Sequence, residues 1–432
     1  MTAAADERCD VLVIGGGPAG STVAALLARH GRDVVMLEKS HHPRFHIGES
    51  LLPLNMPLFE KLGVAREIER IGMHKYGAEF VSPGQDSPTH VDFANAWDPS
   101  FPYTYQVRRS QFDEILFRHA ATSGARAIEG CRVTRVDFDP EGATATARLD
   151  DGSERRWRAR FIADASGRDT FLANQLGIKR RSADNNTAAL FGHFTGAKRL
   201  PGKIEGNISL FWFEHGWFWF IPLADGVTSV GAVCSPQYMK SRRSDPGQFL
   251  LDTIALCPPL AERLREARLA SPVTATGNYS YMAGHTGGPN YLMLGDAFAF
   301  VDPVFSSGVL LAMQSAFVGA ETIQTCLDRP SEARAALRAF DTTTRRALGT
   351  FSWFIYRVMQ PGLRHLLMNP TRKFRLQPAI LSVLAGDVYR PRLDLQIRLA
   401  VFKALYYVFT LGDLKGSLDA WKKRRQALQE PV

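Results

Sequence analysis

The sequence predicts an α/β fold: a Rossmann-like three-layer domain, an inserted and mostly antiparallel β-sheet layer, and a helical C-terminal region. Three observations carry this. A buried-strand pattern runs into a glycine turn and an alanine-rich helix over residues 11–30. Residues from about 185 to 285 are rich in aromatic and β-forming side chains, with Gly and Pro turns between them. From about residue 331 onward the apolar spacing is helical.

Val11 to Ile14 form an apolar run short enough for a strand buried on both faces. Gly15-Gly16-Gly17 follows, and Pro18 opens a helix that Gly31 ends. A second strand, Asp33 to Leu37, finishes on Glu38. Gly15 permits the tight turn, Gly17 removes a Cβ where backbone approaches a pyrophosphate, and Gly20 lets helix and strand pack closely. The helix start offers free N–H groups to phosphates, and Glu38 stands where an acid binds adenosine ribose hydroxyls. A lone GxGxxG is a weak signal. In this strand–turn–helix–strand–acid context it reads as a dinucleotide site.

The loop from Lys39 to Pro53 mixes charge, Gly and Pro. Its histidines, His41, His42 and His46, match no helix face and read as polar loop residues, not as metal ligands. Leu54 to Gly72 is helical with a break at Gly63. Tyr76 to Val81 is strand-like, and Ser82 to Pro102 is an irregular, Pro-rich insertion. Arg109 opens a helix with Ser110 as its cap. Strands alternate from Cys131 to Ile162, with a hairpin at Asp151-Gly152. Tyr291 to Leu294 is another buried strand that runs into Gly295-Asp296, and a long helix runs from near Ser307 to Leu327. Residues 1–350 are expected to form the nucleotide-binding module, with a substrate-facing sheet from about 74–108 and 185–285. Residues 351–432 form the helical region.

The 432 residues carry a net charge of +9, spread over short runs such as Lys179-Arg180-Arg181 and Lys422-Lys423-Arg424-Arg425. Solvated basic faces account for this pattern, and nucleic acid is not an expected partner. Cys9, Cys131, Cys234, Cys257 and Cys326 are far apart and show no CxxC. They suit a reducing compartment, not a disulfide framework or structural zinc. Residues 1–8 lack the apolar core of a signal peptide. No uninterrupted apolar run reaches the ~18 residues of a membrane span; the nearest, Leu399 to Leu411, carries Lys403. A cytoplasmic location is expected. The aromatic stretches Phe351–Tyr356 and Leu399–Phe409 read as helices packed over the substrate site. Contact with a membrane or an acidic carrier protein is the alternative.

Arg109-x-x-Phe112-Asp113, Asp164-x-x-Gly167 and Gly295-Asp296 follow the opening fingerprint in order. With them the sequence resembles the FAD-dependent monooxygenases of the hydroxybenzoate-hydroxylase type. The resemblance implies FAD held by Gly15, Gly17, Pro18, Ala19, Gly20, Glu38, Lys39, Arg44, Ser50, Arg109, Val133, Asp164, Gly167, Gly295, Asp296, Pro303, Gly308 and Val309. No second GxGxxG follows a strand, so nicotinamide has no evident Rossmann unit of its own.

Three further features resemble the flavin-dependent halogenases. Trp217-Phe218-Trp219-Phe220-Ile221-Pro222 matches the WxWxIP signature, and two indoles two residues apart on a strand share a face. The resemblance places Trp217, Trp219, Ile221 and Pro222 beside a tunnel near the flavin. Phe300 to Gly308 resembles the FxxPxxSxG segment, which implies chloride or bromide at Ser307 and Gly308. Tryptophan halogenases carry a glutamate just before this serine pair. Here Phe305 stands in that place, which points to phenols, pyrroles, indoles or other electron-rich aromatics, free or carrier-bound. Lys75 lies where the family keeps its catalytic lysine.

The resemblance implies that reduced FAD and oxygen convert halide to hypohalous acid. This crosses to Lys75, which hydrogen-bonds it or forms a chloramine, and an aromatic carbon then takes the halogen. A separate flavin reductase would supply the reduced flavin. Glu49 and His74 are candidate proton acceptors. The competing readings are an FAD-dependent aromatic hydroxylase or isoprenoid-chain reductase, and a non-catalytic membrane-peripheral flavoprotein.

Overall fold

The computed structural model describes residues 7–429, apart from 86, 183–184, 278–279, 371–374 and 391, so most of the N-terminal segment lies outside the described residues. The first strand, Glu7–Ile14, forms the middle of a sheet. It pairs in parallel with Val34–Leu37 on one side and Glu154–Asp164 on the other. Tyr291–Met293 and Arg126–Ile128 extend the parallel order outward. Val11, Leu12 and Val13 are fully buried, as a strand covered on both faces requires. Helices Pro18–Arg29 and Gly308–Asp328 pack against each other over this sheet. The hairpin expected at Asp151-Gly152 joins Gly142–Leu149 to Glu154–Asp164.

The second large sheet is antiparallel except where Gly77–Val81 runs parallel to Ile208–Phe213. Its central strands are Ala188–Thr195, Thr228–Cys234, Gly216–Pro222 and Ile208–Phe213. Gly216–Pro222 divides two hydrophobic cores by simple alternation. Trp217, Trp219 and Ile221 join the main core, whereas Phe218 and Phe220 face a second core capped by helix Pro246–Ala255. This is the predicted α/β architecture with its inserted sheet.

Four local readings need correction. Ser82–Pro102 is not wholly irregular: Thr89–Asp92 forms an edge strand on Gly77–Val81. The approach is close because Gly77 lacks a Cβ, which would sit 1.8 Å from the Val91 carbonyl oxygen. Within 185–285, helices Pro236–Lys240, Pro246–Ala255 and Pro258–Arg263 interrupt the strands, each opened by proline. Helix Arg109–Thr122 begins after Arg108 with no side-chain cap, so Ser110 is not its cap. Its first turn is held instead by the Arg109 side chain.

The fourth correction concerns the C-terminal region. Phe402 and Tyr406 are buried against Trp353, as core packing requires. The helix they belong to is longer than the apolar run suggests, Leu393–Gly412. Among the described residues it is the helix long and apolar enough to cross a membrane, and only 17% of its most apolar stretch is buried. Core packing therefore explains one face of it alone.

Candidate active site

The loop–helix elements around the first strand enclose a cavity of about 900 Å³. Gly15, Gly17, Pro18 and Ala19 form one wall. Gly15 has φ +100°, and a Cβ there would lie 2.5 Å from the Ala165 carbonyl oxygen, so the turn demands glycine. The N–H of Gly16 donates to Glu38 Oε2 at 2.7 Å, and Ser40 N–H donates to Oε1 at 2.9 Å. The turn thereby holds the Glu38 carboxylate at the cavity wall. Beside it, with Arg44 in between, Arg109 grips Asp113 with two bonds, Nε to Oδ1 at 2.8 Å and Nη2 to Oδ2 at 3.0 Å. Arg44 reaches the same carboxylate at 3.1 Å. Burial alone would raise the Asp113 carboxyl, but Arg109 and Arg44 hold it below the usual carboxylate range. Arg109 also donates to the Ile47 carbonyl at 3.0 Å, which pins the loop that carries Glu49 and Ser50.

Glycines, an unshared helix start, a ribose-facing acid and cations at the cavity fit a flavin dinucleotide. Glu38, Lys39, Arg44, Ser50, Arg109, Val133, Gly167, Asp296, Pro303, Gly308 and Val309 all line this space, as do Trp217, Trp219, Ile221 and Ser307. Lys39 is paired with Asp169 at the rim. Asp296 is pushed up to about 6 by its surroundings, against the pull of Arg109 and Arg168. Asp302 rises to about 6 by burial, against donation from Asn185, Thr187 and the Val304 N–H.

Five predicted residues do not line the cavity. Gly20 is a packing glycine, since a Cβ would lie 1.8 Å from the Gly15 carbonyl oxygen. The Asp164 carboxylate turns inward and accepts from Ser166 N–H (2.9 Å) and Leu172 N–H (2.8 Å), shaping the turn that carries Gly167. Gly295, at φ +54°, serves as the bend that presents Asp296. Pro222 follows Ile221 on the same strand and by alternation turns to the opposite face from the indoles. Lys75 is also outside the cavity, buried behind Ser50.

Lys75 ends the short strand Met73–Lys75, which pairs with Thr104–Gln106. It is 2% exposed, an extreme value for a lysine without an acidic partner. Its Nζ donates to Ser50 Oγ and to the Leu51 carbonyl, both at 2.9 Å, and lies 5.5 Å from the Phe93 ring centroid. Burial pushes the amine down to about 7. Ser50 touches both spaces: it lines the cavity and accepts from Lys75. The loop residue Ser50 therefore stands between the cavity and the buried lysine.

On the cavity side of this wall lies a pair that sequence reasoning did not find. Glu49 Oε1 and His193 Nε2 are 2.8 Å apart, both buried, while Glu49 Oε2 has no hydrogen-bond partner. Glu49 lines the cavity. His193 comes from the antiparallel sheet, 144 residues away, and nothing in its local sequence marks it. His74, the other candidate acceptor, packs among Tyr76, Tyr103 and Tyr105.

The indoles of Trp217 and Trp219 lie 6.1 Å apart on one wall. Trp219 Nε1 donates to Ser229 Oγ at 3.1 Å. Gly231 makes room for it, since a Cβ there would be 2.2 Å from the ring. Ser307 is buried just before helix Gly308–Asp328, whose backbone ladder begins only with Leu311 N–H to the Ser307 carbonyl. The preceding N–H groups are available to an anion. Phe305 is buried edge-on to Phe354, so no carboxylate occupies its place.

Residues 8–337 match the FAD binding domain family. The chain is similar to the flavin-dependent halogenase armH3 of Armillaria mellea, with 36% identity over 351 residues, 75% of this chain and 68% of that one. The chain belongs to the flavin-dependent halogenases. It is also similar to the 1H-pyrrole-2-carbonyl-[peptidyl-carrier protein] chlorinase of Pseudomonas fluorescens, at 29% identity over 409 residues, covering 89% of this chain and 90% of that one. The solved structure of the myxobacterial chondrochloren halogenase CndH shares 35% identity at a TM-score of 0.79, covering 88% and 90% of the two chains. The chain spans about two thirds of the length of the fungal halogenases it matches.

Proposed function

We propose that this halogenase-family chain halogenates an electron-rich aromatic of phenol, pyrrole or indole type, using FAD with chloride or bromide. The observation that carries the reading is Lys75: a sealed amine with no acid beside it, one serine away from a dinucleotide-sized cavity. Reduced FAD, supplied by a separate flavin reductase, would provide with oxygen and halide the hypohalous acid. The residues that would hold it are those of the glycine turn, Glu38, Arg44, Arg109 and Asp296. The N–H groups at Ser307 and Gly308 would hold the halide.

Lys75 then receives the oxidant. Near neutral pH about half of the buried amine is unprotonated, because burial holds it near 7. Its lone pair attacks the halogen of hypohalous acid; the N–halogen bond forms, the halogen–oxygen bond breaks, and the amine proton leaves with hydroxide as water. An aromatic carbon next attacks that halogen and the N–halogen bond breaks, its electron pair staying on nitrogen. The arenium ring gives up its proton to a base, for which the Glu49–His193 pair beside Ser50 is the candidate, and nitrogen takes up one proton in exchange, so the amine is regenerated. Trp217 and Trp219 fill the cavity side, where they bar an aromatic substrate from the flavin.

Phe305 in place of a glutamate favours substrates without a free amino-acid amine. The chlorinase relative named for a carrier-bound pyrrole supports a carrier-tethered form of the substrate. The test is mass spectrometry of indole, phenol and carrier-bound pyrrole panels with reductase, FAD and bromide. A halogen isotope pattern that requires halide is expected. Turnover to a hydroxylated product without halide would overturn the reading in favour of a hydroxylase.

A further inference from the structure

The outer face of helix Leu393–Gly412 has no role in the site described above. Leu393, Ile397, Val401, Ala404, Val408 and Leu411 recur at intervals of four, four, three, four and three, and all are exposed. At 100° per residue these positions fall within one narrow stripe, roughly 27 Å long at 1.5 Å per residue. Leu393 is 72%, Val408 61% and Leu411 66% exposed. No charged side chain interrupts the stripe. The opposite face, through Leu395, Phe402 and Tyr406, is buried in the fold. The helix is thus anchored with its apolar stripe outward, so it lies along the molecule and does not cross a membrane.

Directly after it, helix Leu414–Gln429 changes character. It exposes Leu418 and Trp421, and it carries the run Lys422-Lys423-Arg424-Arg425 against a single acid, Asp419. Trp421 has the Arg425 guanidinium 5.1 Å from its ring centroid. An aliphatic stripe followed by a tryptophan and a basic cluster is the arrangement that suits an interfacial helix at an anionic bilayer.

We infer that these two helices form a docking surface for an anionic lipid membrane. Charge and apolarity both point to this occupant. A carrier protein must leave after each turnover, and transient interfaces are no more apolar than ordinary surface. An uninterrupted aliphatic stripe does not suit that. A second copy could cover the stripe but would offer no anionic partner to the basic run that follows it. A bilayer takes the aliphatic residues into its acyl boundary and pairs its headgroups with Lys422 and Arg425. Docking there would place the cavity near the surface where apolar aromatic compounds collect.

The test is co-sedimentation of the full chain with vesicles of phosphatidylcholine alone or mixed with phosphatidylglycerol. Binding is expected to the mixed vesicles, at least about tenfold weaker to neutral ones and lost at high salt. The double variant Val401→Glu, Val408→Glu should lose binding by at least about tenfold while quenching of flavin fluorescence shows that FAD still binds. Trp421→Ala should weaken binding about threefold. The proposal is overturned if the wild type ignores anionic vesicles. It is equally overturned if sedimentation velocity shows a dimer that the double variant converts to monomer, or if only an acidic carrier protein is retained.

Discussion

The cavity on one side of Ser50 and the buried Lys75 on the other solve opposite problems. The cavity is large and mostly apolar, with both acids and bases along it, and its charges sit in pairs such as Arg44 with Glu38 and Asp113. Around Lys75 the side chains close in, and its one nitrogen donates to two neutral acceptors. In the first, charge is stabilised by paired opposite charge. In the second, charge is penalised by burial, which lowers the amine toward neutral pH. On the proposed function, making the oxidant and using it would take place in two different dielectric environments.

The contrast breaks most completely at Lys75. In Lys75→Met, halogenated product should fall by about a thousandfold or more while FAD affinity stays unchanged, measured by product mass and flavin fluorescence. The same variant should unfold at higher temperature at neutral pH. The native amine titrates near 7 and an unfolded lysine near its ordinary value, so the unfolded chain binds the extra proton between them. Native stability should therefore rise with pH from about 7 to 10, by up to about 4 kcal/mol, and this slope should vanish in the variant. A flat slope in the wild type would refute a buried, pKa-lowered Lys75.

On the cavity side, Asp113→Ala leaves Arg109 buried without its partner. A loss of about 3–5 kcal/mol in stability is expected, along with weakened FAD binding. At the wall, Glu49→Gln keeps the shape and removes the base. Product should fall about 10- to 100-fold with FAD binding retained. Equal product from this variant would dismiss the Glu49–His193 pair as the proton acceptor. The smallest change sharpens the partition itself. Ser50→Ala removes one of the two groups that stabilise the Lys75 ammonium. The rate should rise with pH through a midpoint near 7 in the wild type, and the variant's midpoint should move lower, with a few-fold change in maximal rate.

Much of this was readable from residues in line. The strand Val11–Ile14, the glycine turn and Glu38 announce the dinucleotide cradle because each acts on neighbours within one βαβ unit. The Trp217–Pro222 strand is legible for the same reason: alternation alone decides which side chains share a face. Asp164 was misread because a motif names a position without saying where its carboxylate points. The Thr89–Asp92 edge strand escaped because its signal is the missing Cβ of Gly77, 12 residues earlier. His193 escaped because its partner is 144 residues distant.

By itself, then, the sequence determined the cofactor cradle and the order of the layers, since local spacing and side-chain type carry that information, and its resemblance to the halogenases marked the lysine to suspect. Only the tertiary structure decided that Lys75 is sealed behind Ser50, that Glu49 meets His193, and that one face of Leu393–Gly412 is left uncovered. Burial and long-range pairing depend on how distant segments stack, and those contacts set the dielectric around each charge.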